Sequence, residues 1–108
     1  MRIRFYQTRR GERPVEQYIE DLPVVERAKV AAAISDIAQN GLVGSSASFR
    51  QIEHKLWEIK ISAQRIFYVV MTGPEMILLH AYKKQSQKAP EKELSTARRR
   101  LKEIIGEQ

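Results

Sequence analysis

Polar and hydrophobic residues alternate at the start of the chain, in Arg2-Ile3-Arg4-Phe5-Tyr6. A period of two with Ile3 and Phe5 on one side predicts a strand. After Gly11 the period changes. Pro14 suits the first turn of a helix, and Val15, Tyr18, Ile19 and Leu22 share one helical stripe. Pro23 interrupts, and a second helix is predicted from about Val24 to Asn40, with Val24, Ala28, Ala31, Ala32 and Ile37 among its apolar positions. Asn40-Gly41 offers a left-handed stop. Leu42 to Ser48 is small and polar and reads as a loop. Three β-rich runs follow, Leu56 to Ile61, Arg65 to Met71 and Met76 to Tyr82, joined by Ser62-Ala63-Gln64 and Thr72-Gly73-Pro74-Glu75. Connections this short mean antiparallel hairpins, so the three runs form a meander. Lys83 to Ala89 is polar and basic, and Pro90 then opens a last helix with Leu94, Ala97, Leu101, Ile104 and Ile105 on one side. The order β-α-α-β-β-β-α predicts one α+β domain over residues 1–108, a small antiparallel sheet with the helices packed on one face.

Strand parity divides the meander into two faces. One set is Trp57, Ile59, Ile61; Ile66, Tyr68, Val70; Ile77, Leu79, Ala81, nearly all apolar and expected beneath the helices. The other is Leu56, Glu58, Lys60; Arg65, Phe67, Val69; Leu78, His80, Tyr82, Lys84, which holds nearly every ionisable residue of the meander. A free face with cations, aromatics, a carboxylate and an imidazole has the ingredients of an RNA-binding or phosphoryl-transfer surface. The plain alternative is a solvated sheet face carrying the same residues without chemistry.

Composition narrows the options. The 108 residues include 19 Lys+Arg against 13 Asp+Glu, a net charge of +6, with 43% hydrophobic residues, the balance of one folded domain. No apolar run approaches the roughly 18 residues that span a bilayer, and Met1-Arg2-Ile3-Arg4 leads into polar sequence without a signal-peptide core. A cytoplasmic location and no membrane partner are expected. There is no cysteine, and His54 and His80 are the only histidines, so thiolate chemistry is excluded and no zinc-site spacing exists. Carboxylates are too scattered for a two-magnesium site, and no glycine-rich phosphate loop occurs, so neither metal nor cofactor is expected. The excess charge sits at the two ends, +4 over residues 1–13 and +6 over residues 83–102, and suggests a polyanionic partner.

Metal-independent RNA cleavage fits this inventory. Attack of a 2′-hydroxyl on its neighbouring phosphate needs a base, an acid for the leaving 5′-oxygen, and fixed positive charge on the phosphorane. Arg65 can hold phosphate oxygens through two parallel hydrogen bonds, and Lys60 and Lys84 can act as point charges. Glu58 or His80 could take the proton, while Tyr82 and Phe67 offer rings for stacking an RNA base. Each has a bland counterpart: Glu58 in a cross-strand ion pair, His80 as a hydrogen-bonded core residue, and Arg98-Arg99-Arg100 as a solvated helix face.

The stretch Lys55-Leu56-Trp57-Glu58-Ile59-Lys60-Ile61, then Arg65-Ile66-Phe67-Tyr68, then Leu78-Leu79-His80-Ala81-Tyr82-Lys83-Lys84 running on to Lys88-Ala89-Pro90, resembles the phage-derived, HigB-like branch of the RelE toxin superfamily. The similarity covers nearly the whole chain. It implies a RelE-like α+β fold, ribosome-dependent mRNA cleavage during translation, and a cognate antitoxin, usually a helix-turn-helix protein. By this resemblance Arg65 stabilises the phosphate and Lys84 with Lys60 or Lys83 adds catalytic cations; Tyr82, Lys83, Phe67 and Lys88 are the residues expected to bind RNA. One departure stands out. The family's strand usually ends in Glu-Leu-Arg, but here it reads Glu58-Ile59-Lys60, so bidentate phosphate binding at that position is lost. Two other functions compete: a non-enzymatic basic RNA-binding or regulatory module of the same fold, and a DNA-binding regulator acting through Arg98 to Arg100.

Overall fold

A computed structural model describes residues 1–87 and 90–106. The elements in chain order are β1 (Arg2–Phe5), α1 (Pro14–Glu20), α2 (Val24–Gly44), β2 (Ser48–Glu53), β3 (Leu56–Ile61), β4 (Gln64–Met71), β5 (Glu75–Lys83) and α3 (Glu91–Gly106). The strands form one five-stranded sheet in the order β1-β5-β4-β3-β2. The meander is antiparallel as expected, but β1 lies parallel to β5, with Ile3 beside Met76 and Phe5 beside Leu78, so the sheet is mixed.

Local chemistry sets the boundaries. Pro14 occupies the first turn of α1. Gly41, at φ +76°, breaks the helical path of α2 where Asn40-Gly41 predicts a stop, and one more turn follows it. Gly73, at φ +103°, makes the β4–β5 turn. The strand β2 lies partly in the stretch read as a loop. Its two apolar residues, Phe49 and Ile52, stand three apart and so point to opposite sides of the sheet, which leaves no one-sided apolar alternation to read, and the pairing then slips at a register shift between Gln51 and Glu53.

Both sides of the sheet are buried, in two separate cores. On one side α1 and α2 bring Val15, Ile19, Val30 and Ile37 against Ile59, Ile61, Ile66, Tyr68, Met76 and Leu78. On the other α3 brings Leu94, Ala97, Leu101 and Ile104 against Leu56, Phe67, Val69, Ile77 and Leu79. The α+β class stands, whereas the expectation that all helices share one face does not. The reason is a bulge in β5: Phe67 pairs with His80 and Tyr68 with Leu78, leaving Leu79 as an extra residue. Leu79 and Ile77 thereby join the second core, Leu78 moves to the first, and two apolar faces require two helical layers. Each fully buried Leu, Ile or Phe contributes about 1.5–3 kcal/mol relative to exposure. The inward stripe of α2 also differs from its sequence reading. Val30 and Ile37 are buried with Ala33 and Ile34 beside them, while Val24, Ala28, Ala31 and Ala32 face solvent.

Candidate functional site

The helix α3 covers only part of its face. Beyond it, two rows of side chains cross the sheet in register: Ser48, Lys60, Arg65, Tyr82 in one and Arg50, Glu58, Phe67, His80 in the next. Where these rows leave the helix behind, Ser48, Phe49, Arg50, Glu58, Lys60, Arg65, Lys84 and Gln87 line an open cleft of about 480 Å³. Four of the five predicted catalytic side chains therefore meet: Glu58, Lys60, Arg65 and Lys84. Strand parity finds Glu58, Lys60 and Arg65 because no bulge falls between β3 and β4.

Glu58 is the carboxylate of the cleft and is only 4% exposed. It accepts a hydrogen bond from Arg50 Nη2 at 3.2 Å and another from the Tyr82 hydroxyl at 3.0 Å. Burial, with the adjacent Glu58 charge, pushes the Tyr82 phenol well above its ordinary range, so Tyr82 stays a proton donor to Glu58 at neutral pH. Arg65 is nearly buried. Its Nη1 donates to the carbonyls of Ser62 and Gln64 at 2.8 and 2.9 Å, which clamps the guanidinium to the β3–β4 turn. The Lys84 backbone N–H donates to the Ala63 carbonyl of that turn at 2.8 Å, and its Nζ donates to the Gln87 carbonyl at 2.9 Å. Lys60 is exposed and lies directly opposite Arg65.

The remaining predicted residues go elsewhere. His80 lies under α3, where its Nε2 is 2.7 Å from Glu93 Oε1 and its Nδ1 is 3.3 Å from Arg100 Nη1. Those partners fit one neutral tautomer, with Nε2–H donating to the carboxylate and Nδ1 accepting from the guanidinium. Burial is the main cause that lowers the His80 pKa, the Arg100 and Arg99 charges act in the same sense, and the Glu93 hydrogen bond opposes them. His80 thus ties β5 to α3 and does not line the cleft. Phe67 is fully buried and stacks on Tyr82, 5.5 Å between centroids, and on His80 at 6.5 Å. Neither Phe67 nor Tyr82, at 4% exposure, offers a ring face to an RNA base, because α3 already occupies that side. Lys83 pairs with Gln64 on the opposite face from Tyr82 and is exposed there. Lys88 lies outside the described residues.

Sequence reasoning missed Arg50, Ser48 and Gln87. The signal for the first two was the alternation Ser48-Phe49-Arg50, too short to register as a strand because the next apolar residue, Ile52, falls on the other face. Among the described residues no group of three or more His, Asp or Glu could hold a metal ion, and no helix is long and apolar enough to cross a membrane.

No curated protein matches the chain. The model of the phage-derived Gp49-like protein family (DUF891) matches residues 17–102, from within α1 to within α3, and so includes every residue lining the cleft. The chain belongs to that Gp49-like family, a toxin family of toxin-antitoxin type within the RelE/ParE-like superfamily.

Proposed function

We propose that the protein is a ribosome-dependent mRNA endonuclease of the HigB-like branch, the toxin half of a toxin-antitoxin pair acting in the cytoplasm. The observation that carries this reading is the unbalanced charge of the cleft. Lys60 faces Arg65 across the sheet, Lys84 adds a third cation, and the one carboxylate is already engaged by Arg50. Like charges directly opposite in a sheet are destabilising, and a bound phosphate would relieve them.

The chemistry is attack of a 2′-oxygen on the adjacent phosphorus. A 2′-O–P bond forms, the P–O5′ bond breaks, and the products are a 2′,3′-cyclic phosphate and a 5′-hydroxyl. Glu58, the carboxylate in the cleft, receives the 2′-hydroxyl proton, and the Lys84 ammonium protonates the leaving oxygen. Arg65 and Lys60 hold the phosphorane charge. Removing one fixed donor of this kind costs about 10²–10³ in rate.

Family membership implies a cognate antitoxin. A helix-turn-helix antitoxin from the adjacent gene is the partner expected. Mapping of transcript 5′ ends after induction tests the reading: new ends within translated messages, abolished by Arg65→Ala or Lys84→Ala with folding intact, are the expected result. Growth arrest without new 5′ ends would instead favour the basic RNA-binding module, and undiminished cleavage by both folded variants would move the site elsewhere.

A further inference from the structure

Arg50 and Arg65 hold their guanidinium groups in opposite ways. Arg65 is 9% exposed, and one of its terminal nitrogens is held by two backbone carbonyls. Arg50 has a side chain 59% exposed and rests on Glu58, which is 4% exposed, through one contact from Nη2 at 3.2 Å. A guanidinium carries five N–H donors in a rigid fork. The buried carboxylate fixes one corner of that fork, and the rest lies at the mouth of the cleft beside Lys60 and Lys84. Arg50 is also directly across the strands from Glu58, which shares its face of β3 with Lys60.

We propose that Arg50 is a substrate-binding residue of the cleft, supplying from β2 an exposed, anchored guanidinium directed at a phosphate beside Lys60. Glu58 is then its positioning partner as well as a cleft carboxylate. A buried anion beneath an exposed cation holds the fork in place before the ligand arrives, which reduces the ordering that binding would otherwise require. The ligand is the phosphodiester backbone of single-stranded RNA. This assignment rests on the RNA-directed reading of the cleft but not on cleavage.

The experiment measures binding of a fluorescent single-stranded RNA oligonucleotide, 2′-O-methylated throughout so that it cannot be cut, across a range of salt concentrations. Arg50→Ala is expected to weaken binding about tenfold and to lower the slope of log affinity against log salt by about 0.7, the value for one phosphate contact on a single strand. Arg50→Lys should keep the slope and lose part of the affinity, because the charge remains and the fork does not. If Arg50→Ala exposes Glu58 and destabilises the chain, the double variant Arg50→Ala/Glu58→Gln removes the unpaired charge and should show the same reduced slope. Unchanged affinity and slope in folded Arg50 variants would overturn the proposal, as would failure of the wild-type chain to bind the probe. Reduced binding by Arg50→Ala alongside a wild-type chain that makes no new 5′ ends would sink the endonuclease reading and leave Arg50 standing.

Discussion

Phe67 and Arg65 sit two positions apart on β4 and point to the same side of the sheet. Phe67 is fully buried against α3, whereas Arg65 borders an open cleft. The same contrast runs along β5, where Leu79 packs beneath the helix and Lys84 lies beyond it at the cleft. One sheet face therefore does two jobs, and the dividing line is the edge of a single helix. The covered half is held by apolar burial. The open half collects like charges that a folded chain gains nothing by juxtaposing, which is the mark of a surface shaped for a ligand.

Substitutions on either side of that line should behave differently. The largest effect is expected from Phe67→Ala, which removes a fully buried ring and should cost about 3–5 kcal/mol in denaturant unfolding. A loss under 1 kcal/mol would mean that α3 does not seal this half. Next comes Arg65→Ala, expected to slow cleavage about 10²–10³-fold in a translation reaction. Because Arg65 also clamps the β3–β4 turn, circular dichroism and the milder Arg65→Lys change should accompany it; full activity of a folded Arg65→Ala protein would place the chemistry outside the cleft.

The third test uses pH. His80 has its pKa lowered by folding, so the unfolded chain binds a proton that the native chain resists. Stability should fall as pH drops below the ordinary histidine value of 6.5, with a slope of at most about 1.4 kcal/mol per unit from this group. His80→Asn should flatten the difference between unfolding curves at pH 7 and pH 5.5, and an unchanged pH dependence would show that the buried His80 does not govern it. The smallest effect is reserved for Lys83→Ala. Its side chain leaves on the other face, so cleavage should stay within about twofold, the scale of a neutral surface change. A loss matching that of Lys84→Ala would break the assignment of faces.

Most of the site that could be read from sequence lies in regular pairing. Glu58, Lys60 and Arg65 belong to β3 and β4, whose register runs without a shift, so counting by two places them together. The misses have several causes. In β2 the apolar Phe49 and Ile52 fall on opposite faces, which hid the strand and Arg50 with it, and the extra residue at Leu79 reversed the assigned faces of Ile77, Leu78 and Leu79. That reversal also hid the second apolar core and the helix that covers it, so His80, Phe67 and Tyr82 read as open surface. In α2 the alanines gave no contrast between faces, and only Val30 and Ile37 are fully buried. The parallel seat of β1 against β5 has no local signal, since the two strands come together from opposite ends of the chain.

Leu79 has a consequence for how the chain can change length. Being the unpaired residue of β5, it could be deleted while every other side chain of the strand kept its face, because Leu78 and His80 already pair with successive residues of β4. What would vanish is the carbonyl that Arg100 holds at 2.8 Å, together with a fully buried side chain beneath α3. A one-residue length change there is thus felt by the helix and not by the ladder. The position offers natural variants or an engineer a means of altering how firmly α3 is seated while the spacing of Glu58, Lys60 and Arg65 stays as it is.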